Sequence, residues 1–278
     1  MDPVEKKPLY HFHPGKPILS TGPRGCNLSC KHCQNWSISQ ADGPTNHQTP
    51  EDLIELAESK GSMGLAYTYT EPSIAFEFVL DCARKAADRG LKNVMVTNGF
   101  INPDPLADLI EVIGAFNVDL KAMDDDFYRE VCGGRLQPVL DSIRDIANSP
   151  AHLEITNLII PGYNDSEDMV REMVDFIASL SPAIPLHLSG YHPAYKLDAP
   201  PTSIETLKRA FDIASDKLHY VFAGNRRTSW GNDTLCPKCG NKLVGRGLFR
   251  SHITGITDDG RCDNCGRAVD VVGEWSRS

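Results

Sequence analysis

Three cysteines fall within eight residues of the stretch GPRGCNLSCKHCQNW, Gly22 to Trp36, at the spacing Cys26-x3-Cys30-x2-Cys33. A soluble zinc site normally takes four protein ligands, and this group offers three, which leaves one coordination position open. Three thiolates on one short loop can hold three irons of a [4Fe–4S] cube and leave the fourth iron free for a ligand that reacts. The spacing alone also admits a zinc site completed by a distant histidine, or an ordinary cluster with a remote fourth cysteine.

A second group has a different design. Cys236-Pro-Lys-Cys239-Gly and Cys262-Asp-Asn-Cys265-Gly repeat one knuckle with 22 residues between them. The glycine after each second cysteine permits a tight turn that aims backbone N–H groups at thiolate sulfur. Two such knuckles supply the four thiolates of a closed structural zinc ribbon, and metal binding supplies folding energy that a small core cannot. Iron in the same four-thiolate site, or a reduced metal-free tail, are the competing readings. Seven of the nine cysteines lie in these two groups, and no secretory signal precedes them, which favours metal over disulfides. Cys82, in line with Ile74 and Phe78 on one helical stripe, and Cys132, before Gly133-Gly134 at a helix end, read as packing residues.

The elements that must position the first group alternate. Apolar strand patterns cover Pro17–Gly22, Gly64–Thr70, Asn93–Thr97, Phe116–Leu120, Leu153–Ile160, Pro185–Ser189 and His219–Phe222. Helical patterns fill the gaps: one opened by Thr49-Pro50-Glu51-Asp52, then Ser73–Arg89, Pro103–Ile113, Gln137–Asn148, Ser166–Ser179 and Ser203–Lys217. This rhythm predicts an α/β fold with a parallel sheet. No GxGxxG follows the first strand, so a dinucleotide-binding fold has no support. Polar motifs follow the strands at their C-terminal ends, the active face of a β/α barrel. Within Val118-Asp119-Leu120-Lys121, alternation puts Asp119 and Lys121 on the face opposite Leu120, into the barrel, where desolvating a charged pair needs a reason. Asn98, in Thr97-Asn98-Gly99, lies at the C-terminal end of its strand and so faces the mouth.

After Ala223-Gly224-Asn225 the rhythm stops. The predicted organisation is an N-terminal extension over residues 1–16, a barrel over 17–224 and the zinc ribbon over 233–275. At 278 residues, 41% hydrophobic and 23% charged, with mean hydropathy -0.30, the chain has an ordinary globular composition. Its net charge of -9 repels phosphate backbones, so nucleic-acid binding is not expected; the basic pair Arg226-Arg227 reads as a solvated loop. No apolar run reaches the length of a membrane span. The N-terminal MDPVEKKPLYHFHPG has no signal-peptide character, so the expected location is cytoplasmic.

In order along the chain come EKKPLYHFHPG, the cysteine loop with CQNWSISQ, YTYTEPS, VTNGF, VDLKAMD, IIPGYND and the CPxCG ribbon. Together they resemble radical S-adenosylmethionine (SAM) enzymes, and within these the radical SAM family of the AmmeMemoRadiSam system, related to the pyruvate formate-lyase-activating enzymes. The resemblance runs from about Pro3 to Trp275. Longer relatives carry a cysteine-bearing segment upstream of this point.

The resemblance implies a partial (β/α)6 TIM-like barrel of the radical SAM type. Cys26, Cys30 and Cys33 would hold the [4Fe–4S] cluster, and Cys236, Cys239, Cys262 and Cys265 the zinc. Reductive cleavage of SAM would give a 5′-deoxyadenosyl radical that takes a hydrogen atom from a substrate, a protein residue or a small molecule. By similarity of position, Thr70 and Glu71 would hold the SAM amino group, Asn98 its ribose or carboxylate, and Lys121 its carboxylate, with Asp119 steadying the lysine. His192 would lie near the ribose, and an electron donor such as flavodoxin or ferredoxin would be needed. A glycyl-radical-enzyme activase is the alternative enzyme reading. A non-catalytic iron–sulfur and zinc protein that passes electrons or scaffolds a complex is the alternative of another class. The polar set at the strand ends speaks against the scaffold, which needs no SAM pocket.

Overall fold

The computed structural model describes residues 1–247 and 251–275. Its main sheet has eight strands in the order of the chain. A two-residue edge strand, β1 (Asp2–Pro3), runs antiparallel to β2 (Pro17–Thr21). Parallel to β2 and to one another follow β3 (Gly64–Tyr67), β4 (Lys92–Thr97), β5 (Ala115–Asp119), β6 (His152–Ile159), β7 (Leu186–Gly190) and β8 (Val221–Gly224). Strands β2 and β8 do not pair, so the sheet curls into a half-barrel and stays open.

Six helices connect the parallel strands: α2 (Pro50–Ser59), α3 (Phe76–Asp88), α4 (Pro103–Ile110), α6 (Leu136–Ala147), α7 (Glu167–Leu180) and α8 (Ile204–Ser215). Short helices α1 (Trp36–Ser39) and α5 (Asp125–Phe127) lie in loops. The local chemistry explains the starts. Thr49 and Asp52 form a capping box on α2 with Pro50 at its first position; Ser166 caps α7 and Ser203 caps α8. On α7, Val170, Met173, Val174 and Ile177 make one apolar stripe against the sheet.

Strand alternation divides the sheet into two faces. Leu65, Met95, Phe116, Ile155 and Leu186 face the helices and form the main core. Ile18, Ala66, Val94 and Ala115 face the lumen, where Val4, Leu9 and Phe12 of the N-terminal segment pack against them. That segment therefore lines the half-barrel. Asn117 donates to the Pro8 carbonyl at 2.7 Å, and the His11 amide donates to Glu154 at 2.7 Å.

The last part of the chain forms a separate antiparallel sheet of β9 (Thr234–Leu235), β10 (Lys242–Arg246) and β11 (Ser251–Ile253). Its core is small: Cys236, Leu243, Val244, Ile256 and Cys262 are buried, with Trp275 packed against them. Gly240 and Gly266, the residues after each knuckle, take φ of +71° and +70°, the left-handed turn that glycine adopts without penalty.

Candidate active site

A cavity of about 400 Å³ opens at the C-terminal ends of the parallel strands, with Lys6, Lys7 and Pro8 of the N-terminal segment in its wall. Cys26, Cys30 and Cys33 enter it from the loop after β2. Thr70 and Glu71 enter after β3, Asn98 after β4, and Asp119 with Lys121 at the end of β5. The structure thus brings eight of the nine expected cluster and SAM residues to one cavity. His192 is outside it. The chain leaves β7 through Tyr191, whose buried ring donates its hydroxyl to the Leu197 carbonyl at 2.7 Å, and the next residue, His192, is turned out to solvent.

The two sets of thiols differ in spacing. In the ribbon, Cys236 and Cys265 sulfurs are 3.6 Å apart and those of Cys239 and Cys262 are 3.7 Å apart. Four thiolates around one tetrahedral ion with metal–sulfur bonds of about 2.3 Å sit about 3.8 Å from one another. All four ribbon sulfurs lie within 4.8 Å of one another, whereas those of Cys26, Cys30 and Cys33 do not. The triad is too wide for one ion and has the chemistry and room for a multi-iron cluster.

Neighbouring groups address the triad. Leu28 N–H points at the Cys26 sulfur at 3.4 Å, and the Asn98 amide approaches it at 3.6 Å; Ser39 Oγ is 3.2 Å from the Cys33 sulfur. Such donors stabilise negative charge on sulfur and raise a cluster's reduction potential. Cys132, read from the sequence as packing, lies behind Cys30: its sulfur, that of Cys30 and a His32 ring nitrogen are within 4.8 Å of one another. A hydrogen bond from Cys132 lowers the Cys30 pKa to about 7. Burial, then the charge of Lys121, holds the His32 pKa down to about 3, so its ring is neutral. The His32 Nδ1 is buried with no hydrogen-bond partner, an orphan that a bound group would satisfy.

The carboxylate of Glu71 is 1% exposed and joins two strand ends. It accepts from Ser73 N–H at 3.0 Å, capping the turn that precedes α3, and from Thr97 Oγ1 at 2.9 Å and Asn98 N–H at 2.7 Å. Burial raises its pKa, and these hydrogen bonds oppose the rise. The Thr70 hydroxyl donates to the Pro23 carbonyl, so Thr70 offers the cavity its backbone. Lys121 Nζ lies 3.1 Å from Asp119 Oδ2. Burial works against the ammonium, yet Asp119 and the Cys30 thiolate together hold its pKa well above the usual lysine value. The loop beyond Lys121 is fixed by Asn157 and Asn164, which donate to the Leu120 and Lys121 carbonyls at 2.7 Å each.

Sequence reasoning also missed Lys7 and Tyr69. Lys7 is 2% exposed; its ammonium sits 4.6 Å over the Tyr69 ring and 3.6 Å from Asp2. Tyr69 takes a left-handed φ of +75° and is half-exposed at the rim. The one available signal was the apolar spacing of Val4, Leu9 and Phe12 before the first parallel strand.

A half-barrel with three cluster-spaced thiols on the loop after its first parallel strand, and polar side chains at the next strand ends, defines a class of α/β enzyme built around an iron–sulfur centre. Residues 21–177 match the Radical SAM superfamily, and the chain belongs to that superfamily. It is 42% identical over 279 aligned residues to the uncharacterized protein MJ0808 of Methanocaldococcus jannaschii, covering 98% of this chain and 83% of that one. It is 25% identical over 217 residues to the pyruvate formate-lyase 1-activating enzyme of Escherichia coli (strain K12), covering 71% of this chain and 88% of that one. Among solved structures, Streptococcus suis SuiB bound to its precursor peptide SuiA superposes with a TM-score of 0.60 at 15% identity, over 80% of this chain and 51% of that one. The protein is an enzyme of the radical SAM type, with a [4Fe–4S] cluster and SAM as its cofactors. No helix among the described residues is long and apolar enough to cross a membrane.

Proposed function

We propose that this chain is the radical SAM enzyme of an AmmeMemoRadiSam system, taking a hydrogen atom from a substrate held at the barrel mouth. The observation that carries the reading is one cavity that gathers Cys26, Cys30 and Cys33 with Glu71, Asn98, Asp119 and Lys121. The order of the motifs from EKKPLYHFHPG to the CPxCG knuckles supports the finer family assignment. The three thiolates would hold the cluster. When bound, the cluster and SAM supply a 5′-deoxyadenosyl radical upon one-electron reduction.

The residues do the rest. Lys121 would offer its ammonium to the SAM carboxylate, with Asp119 setting its position. The Thr70 backbone and the Glu71 carboxylate would hold the SAM amino group, and Asn98, beside Cys26, would orient the ribose or carboxylate. Walls formed by the N-terminal segment and Tyr69 keep water from the reacting centre. We take residues 1–16 as an extension, 17–224 as the barrel and 233–275 as the ribbon, with Cys236, Cys239, Cys262 and Cys265 on zinc. A flavodoxin or ferredoxin would deliver the electron, in the cytoplasm. The substrate is a protein residue or a small molecule.

Anaerobic reconstitution, SAM and a strong reductant should yield 5′-deoxyadenosine, and SAM should change the cluster's EPR signal. The Cys30→Ala variant should lose both. Absence of product and of any EPR change in the wild-type protein would sink the proposal. Deuterium passing into 5′-deoxyadenosine from a labelled glycine of a partner protein would select the activase reading over a small-molecule substrate.

A further inference from the structure

A second cavity, of about 490 Å³, opens beside the first, between the N-terminal segment, the loop after β8 and strand β10. Among the described residues its charged lining is Lys6, Arg226, Arg227 and Arg246 against the one carboxylate of Glu5. In a chain of net charge -9 this is a local reversal of sign. Asp2 holds Lys6 at 2.7 Å, but none of the three arginines makes an ion pair among the described residues.

The arginines are positioned rather than loose. The Arg226 side chain crosses the end of β7 at Gly190. A Cβ added there would sit 3.0 Å from Arg226 Cγ and 3.3 Å from its Nε, so glycine is what lets the side chain pass. Arg226 Nη2 donates to the Thr202 carbonyl at 2.6 Å. Arg246 lies 4.4 Å over the Tyr10 ring and donates to Thr234 Oγ1 at 2.8 Å and to the Tyr10 carbonyl at 2.5 Å. The Nε of each of these two arginines is buried with no acceptor. A buried donor left unmade costs roughly 1–3 kcal/mol, and a guanidinium fork matches the oxygens of a carboxylate or phosphate. Glu5 Oε2 is buried and unpartnered too, which suits a hydroxyl or ammonium beside the oxyanion.

The two cavities adjoin. Lys6 lines both, and of two consecutive residues Asn225 lines the cluster cavity and Arg226 the basic one. Asn225 has a left-handed φ of +58°, an uncommon conformation that turns the chain sharply at the end of β8.

We propose that the basic cavity binds the oxyanion, carboxylate or phosphate, of a small acidic substrate whose remainder reaches past Asn225 into the cluster cavity. The hydrogen-abstraction part rests on the function proposed above; the anion site does not. A polyanion is disfavoured by the overall charge of the chain.

Calorimetric titration of the reconstituted full chain with inorganic phosphate, and separately with acetate, in low-chloride buffer tests the site without the true substrate. At least one anion should bind, and Arg226→Gln or the surface variant Arg227→Gln should weaken it at least tenfold. Binding of phosphate alone supports a phosphate ester, and of acetate alone a carboxylic acid. Neither anion binding above chloride, or both variants binding as wild type does, overturns the proposal. So does tight binding of an acidic peptide that neither anion displaces. Glu71→Gln should lose SAM cleavage yet bind the anion; loss of anion binding there would overturn a separate site. Wild-type protein that binds the anion but makes no 5′-deoxyadenosine would refute the proposed radical function and leave the anion site standing.

Discussion

Lys121 is the residue on which the proposed SAM geometry turns. Its side chain is half-buried, paired with Asp119 at 3.1 Å, and kept charged by Asp119 and Cys30. Hydrogen bonds to a charged group contribute about 1.5–3 kcal/mol. Lys121→Met should therefore weaken SAM binding roughly 10- to 150-fold while iron content stays at the wild-type level. Equal SAM affinity in wild type and variant, read by EPR titration, would remove Lys121 from the SAM site. This pair was legible in the sequence because alternation in Val118–Lys121 fixes which side chains share a face. Glu71 was legible only in part. Its place at a strand end could be read, but not the hydrogen bonds it accepts from Thr97 and Asn98, which join segments that lie apart in the chain. Two further features leave no local signal: the approach of the buried Cys132 to Cys30 and the outward turn of His192 after Tyr191.

At the scale of elements, the N-terminal segment is held to β6 and β7 by a buried acid. Glu154 accepts from His152 at 3.0 Å, His187 at 2.6 Å and the His11 amide at 2.7 Å. Burial pushes the Glu154 pKa up, but the two histidines outweigh it and hold it well below the carboxylate range. His11 is fully buried; burial drives its pKa down to about 3, with Glu154 opposing. Both shifts have the same sign of effect. Between about pH 6.5 and 3, the unfolded chain binds a proton at residue 11 and the folded chain does not, so stability falls as pH falls across that window. Below the ordinary glutamate value of 4.5 the unfolded chain also protonates Glu154 before the folded one does, and the loss steepens. Each proton taken up only by the unfolded chain costs about 1.4 kcal/mol per pH unit. Urea unfolding between pH 7 and 5 should show stability falling with pH in the wild type, with the buried His32 adding to the slope, and a shallower slope in His11→Gln. Identical slopes would show that His11 contributes nothing to acid sensitivity.

The whole molecule is tied together by that same segment. On one side Leu9 and Phe12 enter the half-barrel. On the other, His13 donates to Val272 and Val272 to His11, each at 2.7 Å; His11 also reaches Thr234 at 3.1 Å and the Asp270 carbonyl at 2.8 Å. If zinc holds the knuckles, chelation or Cys239→Ser should melt the ribbon and release these contacts. At about 1 kcal/mol for each of these four hydrogen bonds, the barrel's Tm should drop roughly 8 to 16 °C, with about one zinc lost per chain. Unchanged Tm after zinc loss would mean the ribbon stands apart from barrel stability.

The sequence by itself determined the rhythm of strands and helices, the two groups of closely spaced cysteines and the face on which Asp119 and Lys121 lie. Those follow from period, capping and short-range spacing, which a chain carries locally. Only the tertiary structure decided that residues 4–12 line the half-barrel, that Cys132 backs Cys30, that His192 turns to solvent, and that Arg226 crosses Gly190 into a basic cavity. These are meetings between segments far apart in the chain, set by which lumen the open sheet leaves to fill and which backbone can approach closely enough to fill it.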